Sequence, residues 1–163
     1  MPSTADLTDE HGERALVCTL ALRQYGGRTA FQGTIATVRC HEDNVVLRRR
    51  LAEPGGGRVL VVDGGGSLRV ALLGDVVGGL AVRNGWSGLV INGCVRDVAA
   101  LGGLDIGIKA LGSSPRPSAK GGAGDVDLPV TFGEVTFRPS DRLASDDDGI
   151  VVISAPPGDP VSR

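Results

Sequence analysis

Short apolar runs separated by glycine-rich turns dominate this chain, and they predict buried strands that alternate with short helices. Three such runs, at 58–63, 88–92 and 105–111, are rich in Val, Leu and Ile, which is typical of strands covered on both faces. Further strands are predicted at 30–40, 126–131, 134–138 and 149–154. Because the middle of the chain alternates strand and helix while the end is rich in strands, the pattern predicts one α/β domain with mixed sheets and flanking helices.

Helices are predicted between these strands, at 6–16, 44–51, 68–73 and 75–84, with a last short one that follows a turn at Gly93 and ends at Gly102. Asn44, Ser67 and Asp75 are suited to begin three of them, because their side chains can accept hydrogen bonds from the free amides of a first turn. The segment 112–124 is rich in glycine, proline and serine, and its length predicts a mobile loop.

Composition limits the classes of protein that this sequence can form. Its 163 residues suit one domain, predicted at 1–154 with a flexible tail at 155–163. The net charge is -2 and no run of Lys or Arg is longer than the three arginines at 48–50, so the sequence does not favour direct binding of nucleic acid. No apolar stretch approaches the roughly 18 residues that would span a membrane, and the polar, acidic start is unlike a signal peptide.

Cysteine and histidine are scarce, which restricts both the compartment and the chemistry. The three cysteines form no Cys-x-x-Cys pair, and this fits a reduced, cytoplasmic protein. Two histidines leave little material for a histidine-based zinc site or a Ser-His-Asp triad. A metal would be held mainly by carboxylate and water, ligands that favour magnesium or manganese.

The strongest group of candidate residues is Asp75 followed, after a gap of twenty residues, by Arg96 and Asp97. Arg96 and Asp97 come just after a predicted strand, where open α/β sheets place ligands. Arg96 can hold a carboxylate through two hydrogen bonds, and Asp97 can hold a hard divalent cation. The free amides of Val76 and Val77 could take an anionic group. Together these residues would bind an α-keto acid; the alternative is an ordinary surface pair beside a helix cap.

Other polar or glycine-rich patterns are weaker. The glycines at 64–66 follow a strand, but they lack Gly-x-Gly-x-x-Gly spacing and an acidic ribose partner, so a structural turn is favoured over an S-adenosylmethionine site. The arginines at 48–50 are interpreted as a solvated helix face, and Arg116 and Lys120 as exposed loop charge. The aspartates at 146–148 lack the spacing of a calcium loop and indicate a turn.

Motifs along most of the chain, from about residue 5 to 153, resemble those of the RraA-like family. The matching segments are 26–33, 37–40, 42–44, 61–67, 88–91, 93–97, 104–108 and 148–152. The family contains a regulator of ribonuclease E activity and a divalent-metal aldolase. The aldolase acts on 4-hydroxy-4-methyl-2-oxoglutarate and 4-carboxy-4-hydroxy-2-oxoadipate and also decarboxylates oxaloacetate. Some members carry an old label as demethylmenaquinone methyltransferases, which the glycine spacing at 64–66 does not favour.

The resemblance implies a swivelling β/β/α fold, a homotrimer and a pyruvate-forming lyase site. The family's aldolases have an Asp followed twenty residues later by Arg-Asp, and Asp75, Arg96 and Asp97 match that signature. This match implies that Arg96 binds substrate, Asp97 binds the metal and Asp75 orients a water. The segment from Gly74 to Val77 would line the site of the pyruvoyl carboxylate.

Within the family, the presence of Asp97 favours the aldolase over the ribonuclease regulator, because the regulator subgroup often lacks the Asp after the Arg. Larger aldolases of the family carry a C-terminal extension that brings a Glu into a neighbouring subunit's site, and this chain of 163 residues is not expected to supply it. The alternative is an interaction protein that binds a ribonuclease or helicase partner.

Overall fold

Twelve strands and four α-helices make up residues 1–156, the part of the chain that the computed structural model describes. The strands, β1 to β12 in chain order, are Ala15–Val17, Arg23–Gln24, Phe31–Arg39, Val59–Asp63, Ala71–Leu73, Gly88–Val95, Gly107–Ser113, Asp125–Val126, Val130–Phe132, Val135–Phe137, Arg142–Asp146 and Gly149–Ile153. The helices, α1 to α4, are Thr4–His11, Val45–Leu51, Asp75–Arg83 and Val98–Leu101. A 3₁₀ turn at Gly12–Arg14 follows α1.

The apolar runs in the middle of the chain become neighbouring parallel strands. In the ten-stranded sheet the order is β1-β12-β11-β3-β4-β6-β7-β2, with β5 also paired to β6 and β8 to β3. The pairs β3–β4, β4–β6 and β6–β7 are parallel, whereas β11 joins β3 antiparallel. The sheet is therefore mixed, and the carboxyl ends of its central parallel strands lie at one edge, where α/β proteins bind ligands.

Two apolar cores lie on opposite faces of this sheet, because successive side chains of a strand point to opposite sides. On one face Leu60 and Val62 of β4 belong to the core that α2, α3 and α4 cover. On the other face Val59 and Val61 belong to a core that includes Phe137 and residues of β11 and β12. These helix, sheet and strand layers confirm the predicted α/β fold.

The predicted helix at 68–73 is wrong, because its second half is strand β5. The amide of Ala71 donates to the carbonyl of Arg116, and the side-chain amide of Asn44 donates to the Leu72 carbonyl. The predicted turn at Gly93 is also wrong, since β6 continues to Val95. The β6–β7 register shifts between Ile91 and Cys94, so an irregularity in the sheet replaces the turn.

The amino-terminal end of the described chain also departs from the sequence pattern. The first helix ends at His11 rather than residue 16, and the Ser3 side chain caps its start by accepting a hydrogen bond from the Asp6 amide. Ala155 donates its amide to the Asp141 carboxylate at 3.0 Å, and residues 157–163 of the predicted tail lie outside the described residues. Within residues 1–156 no helix is long and apolar enough to cross a membrane.

Candidate active site

The predicted site residues come together where β5 and β6 end. Arg96 and Asp97 follow β6 directly, and Asp75 is the first residue of α3, just after β5. The Arg96 amide donates to the Leu73 carbonyl at 2.9 Å, which joins the two strand ends. The Asp75 amide donates to Oδ2 of Asp97 at 3.1 Å. Pairing of β5 with β6 thus closes the twenty-residue gap of the sequence motif.

Asp97 has an unusual backbone conformation that turns the chain out of the sheet. Its φ of 58° and ψ of 42° are left-handed, a region that Asp tolerates better than most residues. It occupies the N-cap position of α4, yet its side chain makes no capping bond there and instead reaches the Asp75 amide. Such residues concentrate at functional sites, and the exposed carboxylate of Asp97 is accordingly a candidate ligand.

Gly74 leaves the space that this carboxylate occupies. A Cβ at Gly74 would lie 2.5 Å from Oδ2 of Asp97, closer than real Cβ contacts allow. Gly74, rather than Asp75, holds the N-cap position of α3, so the predicted side-chain cap by Asp75 is wrong and its carboxylate is exposed. Because Gly78 is the first residue to bond back to the Gly74 carbonyl, at 2.8 Å, the Val76 and Val77 amides have no partner inside the helix.

A cavity of about 580 Å³ opens beside these residues. It is bordered by α2, by the loop after β7 and by the junctions after β5 and β6. Its lining residues are Asn44, Val45, Arg48, Arg49, Ala52, Ala71, Leu73, Gly74, Asp75, Val76, Val77, Arg96, Asp97, Pro117, Ser118 and Lys120. Every residue proposed from the sequence for the site therefore borders one cavity.

Helix α2 forms one wall, and this corrects the interpretation of its arginines as a purely solvated face. Val45, Arg48, Arg49 and Ala52 line the cavity, with the i, i+3, i+4, i+7 spacing of one helix face. Leu47, between them in sequence, is fully buried on the core side. Sequence reasoning missed both arginines because a helical charge pattern looks the same whether the face meets bulk water or a cavity.

The loop after β7 forms a second wall, and buried polar contacts hold it in place. The Asp43 carboxylate accepts hydrogen bonds from the amides of Val45 at 3.1 Å, Gly121 at 2.7 Å and Gly122 at 2.9 Å. These bonds, that from Val45 first, lower the pKa of Asp43. Lys120 donates to Oδ1 of Asn44 at 2.7 Å, so this loop charge lines the cavity rather than only facing solvent.

The donor set fits a weakly held hard cation. Among residues 1–156 no three His, Cys, Asp or Glu side chains gather as a ready-made metal centre. Asp97 offers carboxylate oxygen in a cavity with space for water and substrate, and magnesium sites often use only one or two carboxylates with waters and substrate oxygens. The residues present are compatible with magnesium or manganese at Asp97.

The nearby Cys94 is a poor candidate nucleophile. The residue is 1% exposed, and burial raises the pKa of its thiol. Cys40 is similarly buried, with a pKa raised to about 12 by burial first and then by Asp43 and Asp63. A reactive cysteine needs thiolate and access, and these two residues lack both.

The glycines at 64–66 form a turn whose amides are already bonded. Gly64 and Gly66 donate to the Asn92 carbonyl at 3.0 and 3.1 Å, and Gly65 donates to Oδ1 of Asp63 at 3.0 Å. Strand β5, not a helix, follows this turn. It therefore lacks the free amides at a helix start that bind phosphate groups.

The fold and the cavity define an α/β protein with an open, cation-lined cavity at the carboxyl edge of a mixed sheet. Comparison with known proteins identifies its family: residues 4–152 match the RraA-like family, described as Aldolase/RraA. This chain belongs to that family, as its sequence motifs predict.

Solved structures with the same fold carry different descriptions. One from Geobacillus kaustophilus, described as an S-adenosylmethionine:2-dimethylmenaquinone methyltransferase, is 44% identical with a TM-score of 0.93, and the match covers 96% of this chain and 97% of that one. The RNA-processing inhibitor RraA from Thermus is 41% identical with a TM-score of 0.92, covering 97% and 96%. Streptomyces coelicolor RraAS2, from the RNase ES inhibitor RraA family, is 27% identical with a TM-score of 0.77, covering 94% and 81%.

Proposed function

We propose that this protein is a divalent-metal-dependent lyase that releases pyruvate from α-keto acids. The substrates would be 4-hydroxy-4-methyl-2-oxoglutarate or 4-carboxy-4-hydroxy-2-oxoadipate, with oxaloacetate decarboxylated at the same site. One observation carries the proposal: Arg96, Asp97 and the free amides at the start of α3 border a single cavity.

Substrate binding follows from the hydrogen-bond donors of this cavity. The amides of Val76 and Val77 point from a helix N-terminus, where partial positive charge favours an anion. They would take the carboxylate next to the keto group. Arg96, which is exposed and follows the end of β6, would hold the same end of the substrate through its planar guanidinium.

Asp97 would hold the magnesium or manganese ion, whose chemistry when bound is to polarise the keto oxygen and offset developing negative charge. Cleavage breaks the bond between C3 and C4 of the substrate, and its electron pair passes to the pyruvate enolate. The Arg96 guanidinium stabilises that negative charge. A water held by Asp75 removes the hydroxyl proton in the aldol reaction, and C3 is then protonated to give pyruvate.

Pyruvate release from oxaloacetate tests this proposal most directly. The purified protein, stripped of metal with a chelator, is expected to accelerate decarboxylation only after magnesium or manganese is returned. A blank that contains the same metal but no protein gives the background rate. A protein rate that equals this blank at every metal concentration would contradict the lyase.

Inhibition of RNA processing is a second candidate, favoured by the 41% identity to the Thermus inhibitor. In that case the surface would bind a ribonuclease or helicase and the cavity would be unnecessary for function. Cleavage of a defined RNA by a ribonuclease E-type enzyme, with and without the protein, separates the candidates. Inhibition that survives Asp97→Ala would support this second function.

Methyl transfer is not proposed, although a structure 44% identical is described as a methyltransferase. The amides of the turn at 64–66 are bonded within the protein, so they are not free to bind S-adenosylmethionine.

We also propose a homotrimer, on the strength of the family resemblance. Support comes from β1, an edge strand on which Leu16 and Val17 are 41% and 49% exposed, since exposed edges of this kind are usually covered. Light scattering is expected to give three times the mass of the chain, and a monomer at micromolar concentration would contradict it.

A further inference from the structure

Three consecutive arginines on α2 lie in two different environments. Arg50 belongs to the scaffold: it pairs with Glu53 and Asp127, and its guanidinium lies 5.8 Å from the centre of the Trp86 ring. Arg48 and Arg49 are exposed and line the cavity. Neither has a carboxylate partner within residues 1–156, so their charges remain available to a ligand.

The cavity contains more positive charge than the reacting end of a keto acid requires. Its four cations face two carboxylates; the cations are Arg48, Arg49, Arg96 and Lys120, and the carboxylates are Asp75 and Asp97. Lys120 donates hydrogen bonds to the side chains of Asn44 and Ser118, which are both neutral, so these contacts do not offset its charge. Arg96 and the α3 amides account for one substrate carboxylate, which leaves the pair on α2 without a role.

The size of the cavity also exceeds the reacting unit. A volume of about 580 Å³ lies in the range of pockets that enclose drug-sized ligands, well above what a three-carbon keto acid fills. The α2 wall and the Arg96–Asp97 junction both border this one cavity, so a longer substrate can touch both. Guanidinium groups suit carboxylate and phosphate because they can donate two parallel hydrogen bonds.

We propose that Arg48 and Arg49 form a second anion subsite that binds a carboxylate or phosphate at the far end of the substrate. This inference rests on the proposed lyase function, because that function assigns the near end of the substrate to Arg96. The two arginines thereby determine specificity, and they select keto acids with a distal anionic group over neutral ones of equal length.

Binding of matched ligands tests the subsite without requiring turnover. Calorimetric titration in magnesium compares 2-oxoglutarate with 2-oxopentanoate, which has a methyl group in place of the distal carboxylate. The wild type is expected to bind 2-oxoglutarate about tenfold or more tightly, the effect of losing a hydrogen-bonded charge pair. In Arg48→Ser/Arg49→Ser this preference disappears while the affinity for 2-oxopentanoate is unchanged.

A second ligand pair distinguishes phosphate from carboxylate. 3-Deoxy-2-oxogluconate is titrated with and without its 6-phosphate. If the wild type prefers the phosphorylated form, and the double variant loses a preference only for this pair, the distal group is identified as phosphate. Arg83→Ser, which removes an exposed arginine at the other end of α3, is the matched control and should keep the wild-type preferences.

The outcomes separate the subsite from the lyase. Equal affinity of the wild type for both members of each pair, or equal losses for both members in the double variant, overturns the subsite even if oxaloacetate is decarboxylated. A distal preference that depends on Arg48 and Arg49, found in a protein that releases no pyruvate, supports the subsite and overturns only the lyase.

Discussion

The neighbouring parallel strands β4 and β6 both end at the same edge of the sheet, but the segments that follow them differ in what they leave unbonded. After β4, the amides of the glycines at 64–66 all bond to Asp63 or Asn92. After β6, Arg96 and Asp97 are exposed, and the adjacent start of α3 keeps free amides. The glycine-rich segment looks more like a ligand site in sequence, yet the other segment has the groups that can bind one.

This difference shows that glycine content alone does not indicate a binding loop. Glycine allows the backbone at Gly65 and Gly66 to adopt φ values of 69° and 74°, and that conformation serves a tight turn. At Gly74 the φ is -129°, which any residue adopts, and the glycine is needed only for the space taken by Asp97. Gly65 and Gly66 are needed for their backbone conformation, whereas Gly74 is needed because it has no side chain. Mutations at the two places should therefore have different consequences.

Asp97→Ala is expected to have the largest effect, because it removes the only carboxylate assigned to the metal. Loss of several kcal/mol of transition-state stabilisation corresponds to about a thousandfold or more in rate. The fold should be retained, since Asp97 is exposed and, within residues 1–156, its side chain bonds only to the Asp75 amide. The measurement is oxaloacetate decarboxylation across a magnesium series, with circular dichroism to check folding.

Asp105→Ala is the matched control for that experiment. Its side chain is 81% exposed and lies outside the cavity, and among the described residues it pairs only with Arg28. Wild-type, magnesium-responsive rates in a folded Asp97→Ala protein would show that the carboxylate is not the metal ligand.

Gly74→Ala should reduce the rate next most strongly, by about a hundredfold, because small misplacements of catalytic groups are costly. The new Cβ would lie 2.5 Å from Oδ2 of Asp97 and must displace that carboxylate. Thermal unfolding should change little, since the backbone conformation suits alanine. Steady-state kinetics with added metal decides the matter, and an unchanged kcat would mean that the position of Asp97 is unimportant.

Arg96→Lys keeps the charge but removes the planar pair of donors. We expect kcat/KM for oxaloacetate to fall about tenfold or more, the loss of one hydrogen bond between charged groups. Arg28→Lys, at an exposed ion pair remote from the cavity, should leave the kinetics unchanged. Full activity of the Arg96→Lys enzyme would remove Arg96 from carboxylate binding.

Gly65→Ala tests the other side of the comparison. Alanine at a φ of 69° should destabilise the fold by about 1 kcal/mol, because left-handed backbone is unfavourable for residues with a Cβ. The Cβ also approaches the His41 ring at 2.7 Å, but that exposed side chain can move. Urea unfolding should show the loss, whereas kcat/KM should equal that of the wild type; a selective loss of activity would place the turn in the site.

The smallest expected signal is the absence of S-adenosylmethionine binding to that turn. Because its three glycine amides are occupied, calorimetric titration of the wild type should give only the heat of dilution. Micromolar binding that Gly65→Ala abolishes would reverse the contrast between the two segments.

Local sequence pattern determined those features that depend on local composition. The Val, Leu and Ile runs specify strands β4 and β6, since strands covered on both faces need apolar residues at successive positions. Asp75, Arg96 and Asp97 could be selected because their residue types carry recognisable chemistry and their spacing matches a family signature. The position of Arg96 and Asp97 after a strand followed from the same pattern.

Tertiary structure alone decided how these pieces form a cavity. The segment 71–73 is too short to prefer strand over helix by itself, and its partners Asn44 and Arg116 are distant in sequence. Arg48 and Arg49 face the cavity rather than open solvent only because the α2 core residues Leu47 and Leu51 fix the rotation of the helix. Which hydrogen-bonding groups remain free after folding depends on such long-range contacts. For that reason the sequence predicted the charged residues after β5 and β6 but not the cavity wall formed by α2.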